Sequence, residues 1–170
     1  EAQNGLLIID MSSLPANNDL QTYYYTGSSS NNWQSAHNLY VDERGYAYIF
    51  GANRGNKGCI ILDLNQDPTQ PVEVADINNW YVHDGMAKGD TLYLAHISDG
   101  FFTVWDVSNP SIPVMLGQHN SPGAKCHNAW VSDDGNYVFT TDEVTSGYIA
   151  AVDVSDVNNM TVIDQIQSWS

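Results

Sequence analysis

Short apolar runs recur along the chain, and each is closed by an aspartate and a polar turn. Leu6-Leu7-Ile8-Ile9-Asp10, Cys59-Ile60-Ile61-Leu62-Asp63, Phe101-Phe102-Thr103-Val104-Trp105-Asp106 and Tyr148-Ile149-Ala150-Ala151-Val152-Asp153 place that aspartate 53, 43 and 47 residues apart. Runs this short, rich in β-branched and aromatic residues and bounded by turn formers, predict strands buried on both faces. Asn65-Gln66-Asp67-Pro68 and Ser108-Asn109-Pro110 supply the turns. Outer strands are predicted to follow at Pro71–Ala75, Pro113–Leu116 and Met160–Ile163.

A second series lies in phase with the first. Ala36-His37-Asn38-Leu39-Tyr40-Val41, Val82-His83-Asp84-Gly85-Met86 and Cys126-His127-Asn128-Ala129-Trp130-Val131 bring their histidines round 46 and 44 residues apart. Each leads through a glycine-containing hairpin turn into a strand with a central aromatic residue: Tyr46–Phe50, Leu92–Ala95 and Tyr137–Thr140. One unit therefore holds four strands, in the order histidine strand, aromatic strand, aspartate strand, outer strand. Four-stranded units of this length predict an all-β fold, a β-propeller of about three and a half blades. Full blades are expected over residues 36–78, 82–120 and 126–168. Residues 1–26 supply only the last two strands of a preceding blade, and 1–170 reads as one propeller domain or propeller fragment. A β-sandwich competes but does not explain why the histidine and aspartate series stay in phase. A propeller ring closes with at least four blades, so a fragment of a longer propeller or closure against another chain is expected.

Composition narrows the partners. Twenty acidic against five basic side chains give a net charge of −15, which repels nucleic acid and anionic membrane. No apolar stretch reaches membrane-span length, so no direct membrane insertion is expected. The chain is 42% hydrophobic and 11% aromatic, enough to build a core despite the charge. With no initiator Met, Glu1 reads as a processed or excised start. Cys59 and Cys126 fall at unrelated points of the repeat and read as buried thiols; a disulfide stays open.

The leucine- and isoleucine-rich segments ending in aspartate, Gly5–Asp10 and Phe102–Pro110, resemble the LVIVD repeat. The ordered set Ala36-His37-Asn38, Val82-His83-Asp84, His127-Asn128-Ala129-Trp130 and Thr141-Asp142-Glu143 is similar to the bacterial choice-of-anchor B surface proteins. The resemblance runs from about residue 36 to 165. It implies a secreted or cell-surface bacterial protein, longer than this chain, whose C-terminal anchoring signal is not recognisable up to Ser170. It implies fold and address rather than a reaction.

The first strand of each propeller blade lines the central channel. Histidines opening those strands therefore converge at one channel mouth. His37, His83 and His127, with Asp84, Asp142 and Glu143 as oxygen donors, form a candidate site for a divalent metal: Zn, Mn or Ca. The alternative is that each histidine simply hydrogen-bonds backbone across a blade junction. His96 reads as a loop residue able to reach the same mouth, and His119 as structural or solvated. The aspartates Asp10, Asp63, Asp106 and Asp153 read as turn caps, because each stands alone before an apolar residue rather than in a dense oxygen loop. Asp133-Asp134-Gly135-Asn136 reads as a solvent-facing turn. No nucleophile elbow, phosphate loop or Cys-x-x-Cys is present, and adjacent strand residues Cys126 and His127 would point to opposite faces. Enzymatic function is thus disfavoured, and three readings follow. The first is a surface module binding a protein or glycan; the second is a metal-dependent hydrolase or lyase; the third is an assembly subunit pairing with another propeller half.

Overall fold

The computed structural model describes residues 4–169; the expected processed start at Glu1 lies outside the described residues. Among these the chain is all-β, with five antiparallel sheets and no helix. A two-stranded sheet pairs β1 (Leu6–Ile9) with β2 (Thr22–Tyr25). A small hairpin, β3 (Gly27–Ser28) and β4 (Asn31–Asn32), then delivers Trp33 into the core. Three four-stranded meanders follow. The first contains β5 (Asn38–Val41), β6 (Tyr46–Phe50), β7 (Cys59–Asp63) and β8 (Val72–Ile77). The second contains β9 (Asp84–Lys88), β10 (Thr91–His96), β11 (Phe101–Asp106) and β12 (Val114–Asn120). The third contains β13 (Cys126–Val131), β14 (Tyr137–Asp142), β15 (Tyr148–Asp153) and β16 (Thr161–Gln167).

Strand order within each meander follows chain order, as the four-strand unit predicts. The outer strands begin one residue later than their sequence pattern suggests and run on to Ile77, Asn120 and Gln167. Their polar later residues hide this continuation, since an outer strand faces water and carries little apolar signal. The three meanders also share a bulge at one register position. It lies between Ile61 and Leu62, between Val104 and Trp105, and between Ala151 and Val152, opposite an extra residue on the outer strand. Such a bulge increases the local twist.

Each aspartate that closes an apolar run caps its turn. Asp10, Asp63, Asp106 and Asp153 accept the backbone N–H two residues on, at 2.9, 2.8, 2.8 and 2.9 Å. Gly45, at φ +81°, supplies the left-handed residue of its hairpin, which a side chain would resist.

The core lies between sheets rather than inside them. Tyr48, Phe50, Cys59 and Ile61 of the first meander pack on Ala87, Leu92, Leu94 and Trp105 of the second. At the same register positions, Tyr93, Ala95, Phe102 and Val104 of the second pack on Val131, Val138 and Val152 of the third. Burying one such side chain fully contributes roughly 1.5–3 kcal/mol over leaving it exposed. β7 and β11 are accordingly buried on both faces. β1 and β15 are not: among the described residues no sheet covers their second face. Polar ties reinforce each junction at the hairpin ends. Arg44 donates to Asp90 and to the Val107 carbonyl, and Lys88 donates to the carbonyls of Ser132 and Asp133.

Candidate functional site

β5, β9 and β13 lie side by side as the first strands of their meanders, and the three in-phase histidines sit at their starts. His37 and His83 immediately precede β5 and β9, with backbone N–H groups bonded to the Phe50 and Ala95 carbonyls at 2.9 Å each. His127 lies one residue inside β13, at a register shift between Cys126 and Asn128. The three imidazoles lie in a row with His83 in the middle, each ring tilted by 43–48° to the next. Its ring centroid lies 4.0 Å from that of His37 and 4.4 Å from that of His127. Gly51, at φ +65°, lets the first strand pair approach this closely: a Cβ there would come within 2.9 Å of the His37 Cβ.

His83, His127 and Glu143 each present a ligand atom within 4.8 Å of the other two, an arrangement able to hold a metal ion. His127 Nε2 stands 3.9 Å from Glu143 Oε2, too far for a hydrogen bond. His83 is buried, His127 half-buried and Glu143 exposed, so the cluster is open on its carboxylate side. The His83 Nδ1 lies 3.1 Å from the His127 carbonyl. A carbonyl can only accept, so Nδ1 carries the proton and Nε2 keeps its lone pair for a ligand. Burial and the neighbouring His37 imidazole lower the His83 pKa, against the opposing pull of the His127 carbonyl and of Asp84. That imidazole is therefore kept neutral, the form that binds metal.

The remaining candidates go elsewhere. Asp84 turns to the neighbouring first strands and accepts from Asn38 Nδ2 at 2.9 Å, Asn128 Nδ2 at 2.7 Å and the Gly85 N–H at 2.8 Å. Its carboxylate thus ties three sheets together at one level. Asp142 accepts from Ser121 Oγ at 2.5 Å and from the N–H groups of Gly123 and Lys125 at 2.7 and 3.1 Å. It fixes the connection between the second and third meanders. His37 packs at a tilt against His83 but stands outside the His83–His127–Glu143 triad.

His96 is a correction to the loop reading. It ends β10 fully buried, flanked by Trp80 and Phe101. Trp105 Nε1 donates to Thr103 Oγ1 at 2.7 Å, which leaves the Thr103 hydroxyl proton for His96 Nε2 at 2.9 Å. His96 Nδ1–H then donates to the Tyr81 carbonyl at 2.9 Å. Burial lowers its pKa, and the chain of donors holds it neutral. This network escapes sequence reading because its partners are seven and fifteen residues away and do not repeat. The Asn38–Asp84–Asn128 clamp left a trace: amide, carboxylate, amide at equivalent positions of the three repeats. His119, on the outer strand β12, faces Phe102.

Both cysteines are free and buried, as the thiol reading expects. Burial raises the Cys59 thiol well above its usual value and pushes Cys126 up to about 12. Neither is a nucleophile at neutral pH.

No curated protein sequence matches the chain. Solved structures with a TM-score of 0.60 include hydrazine synthase from Kuenenia stuttgartiensis, at 13% identity over 85% of this chain and 39% of that one. A candidate 6-phosphogluconolactonase from Bacteroides uniformis aligns at 14% identity over 89% of this chain and 47% of its own, also with a TM-score of 0.60. A hypothetical selenium-binding protein from Sulfolobus tokodaii aligns at 13% identity over 86% and 43%, again with a TM-score of 0.60. The chain thus spans less than half the length of each of these structures, and at such identities the likeness shows the fold alone. The LVIVD repeat model matches residues 81–121, the stretch that holds the second meander and its histidine. The chain is a β-propeller-type protein carrying an LVIVD repeat.

Proposed function

We propose that the chain is a binding module of a secreted or cell-surface bacterial protein, and that it holds a divalent metal at the mouth formed by its first strands. The observation that carries this reading is the convergence of His83, His127 and Glu143 from two neighbouring sheets. The surface address rests on the resemblance to the choice-of-anchor B proteins and on the acidic composition. The repeat architecture and the missing nucleophile favour a protein or glycan partner over a substrate.

Two imidazoles and one carboxylate suit Zn²⁺ or a similar transition ion, whereas Ca²⁺ takes six to eight oxygens. Zn²⁺ ligands stand about 2.0–2.2 Å from the ion, so the 4.8 Å cluster must contract. The exposed Glu143 side chain can swing in to achieve this. The bond from His83 Nδ1 to the His127 carbonyl supplies the outer support that orients a ligating imidazole. The net charge of −15 concentrates cations near the protein.

Zn²⁺ titration by calorimetry, with elemental analysis of the purified protein, tests the metal. Binding with one ion per chain is expected. Glu143→Gln should weaken it about tenfold, and His127→Ala by about a hundredfold or more. If the purified protein carries no metal and added Zn²⁺, Mn²⁺ or Ca²⁺ leaves its melt unchanged, the metal reading fails. Three protein ligands would leave a coordination position open, the one observation favouring the second reading, a metal-dependent hydrolase or lyase. Zn²⁺-dependent turnover of ester or phosphoester probes, lost with His127→Ala, would establish it; no turnover by fully loaded protein refutes it.

A further inference from the structure

Two connections are longer than their counterparts elsewhere in the repeat. Twelve residues (26–37) lead from β2 to β5 and include the β3–β4 hairpin, where six (78–83) and five (121–125) suffice from β8 to β9 and from β12 to β13. Eight residues (51–58) join β6 to β7, against four (97–100) and five (143–147) in the later meanders. Insertions in a repeat fold often mark its binding face.

The two long loops brace each other. Asn53 Oδ1 accepts the backbone N–H groups of Gln34 at 2.7 Å and Ser35 at 3.1 Å. Arg54 Nη1 donates to the Asn31 carbonyl at 2.7 Å, and the guanidinium holds both Glu73 carboxylate oxygens at 2.9 and 2.7 Å. Between β2, the hairpin and the start of β8 lies an open cleft of about 560 Å³, bordered by Tyr25, Ser28, Ser30, Asn31, Val72 and Glu73. It sits at the rim, on the opposite edge of the β1–β2 sheet from any strand that would pair with β1. It shares no residue with the histidine cluster.

The lining selects its occupant. The Ser28 and Ser30 hydroxyls, 3.3 Å apart, and the Asn31 amide offer donors and acceptors together, as a sugar hydroxyl requires. Tyr25, set edge-on against Trp33, and the exposed Val72 offer apolar surface to the C–H face of a sugar ring. A cation finds the Glu73 carboxylate already bonded to Arg54 and Asn31. An anion meets a chain of net charge −15 and guanidinium Nη atoms already engaged by Glu73 and Asp76. Two buried donors beside the lining, Arg54 Nε and, behind Gly27, Trp33 Nε1, have no partner among the described residues and call for acceptor oxygens.

We infer that this rim cleft is a binding site for a neutral oligosaccharide. The inference rests on the reading of the chain as a binding module, and it puts the glycan contact away from the metal. The full chain, fluorescently labelled and in chelator, is read on an array of neutral, sialylated and sulfated oligosaccharides, and the strongest neutral binder is titrated by calorimetry. Asn31→Ala should weaken that binding about tenfold, and Ser30→Trp, which fills the cleft from the exposed hairpin, about a hundredfold. His127→Ala should leave it unchanged. No neutral oligosaccharide bound, or a preference for the acidic ones, overturns the inference and leaves the metal titration untouched. A neutral oligosaccharide whose affinity ignores both cleft variants also overturns it, while keeping the module reading.

Discussion

Replacing Asp84 tests whether the first strands are held in register by its carboxylate. In Asp84→Ala the amides of Asn38 and Asn128 and the Gly85 N–H all lose their acceptor. Hydrogen bonds to a charged group contribute about 1.5–3 kcal/mol each, and a buried donor left bare adds its own penalty. Asn38 is exposed and regains water, whereas Gly85 is buried and Asn128 partly so. Counting mainly the last two gives a loss of about 3 kcal/mol. With a urea slope of about 2 kcal/mol/M, the unfolding midpoint should fall by roughly 1.5 M at unchanged slope. Asp84→Asn keeps one acceptor oxygen and should lose about 1 kcal/mol. Adding Asn128→Ala to Asp84→Ala should cost little more, since their shared bond is already gone. A midpoint shift below about 0.3 M for Asp84→Ala would refute the clamp, because it would mean that the three donors find water at no penalty. Asp84→Asn should also leave Zn²⁺ affinity unchanged, whereas a direct ligand would not.

Acid should weaken the fold before its carboxylates titrate. His83 and His96 have lowered folded-state pKa values, so the unfolded chain takes up protons that the native rings resist. Stability is therefore full above the unfolded histidine value of about 6.5 and falls as the pH drops through it, until the folded rings protonate too. A urea midpoint identical at pH 7 and pH 5 would contradict this. Thr103→Val removes the hydroxyl that links Trp105 to His96 and should destabilise by about 1–3 kcal/mol in chemical melts, since two buried polar groups lose their partner. Thiol alkylation at pH 8 should label neither Cys59 nor Cys126 until urea unfolds the chain; native labelling at the unfolded rate would mean that the sheet junctions are open.

The repeat was legible because the features that fix a strand are local. Alternating burial, turn-forming aspartates and hairpin glycines all act within a few residues, and their phase along the chain revealed four-stranded units. The recurrence of His37, His83 and His127 carried one step of tertiary geometry, since equivalent positions on equivalent strands must come level. Which carboxylates join them was not legible. Asp84 and Asp142 are as suitable in type as Glu143, but backbone amides and asparagines claim the first two, while Glu143 projects past the end of β14 with its carboxylate free to approach His127. That choice depends on which donors lie across a sheet junction, 17 to 46 residues away in sequence. The same holds for burial. Phe139 and Tyr93 look alike as residues, and only packing shows that one is covered and the other bare. Sequence determined the strands and their repetition through short-range sterics and turn chemistry. Tertiary structure decided burial, tautomer and which carboxylate comes near the histidines, because those depend on neighbours that the chain reaches only by folding.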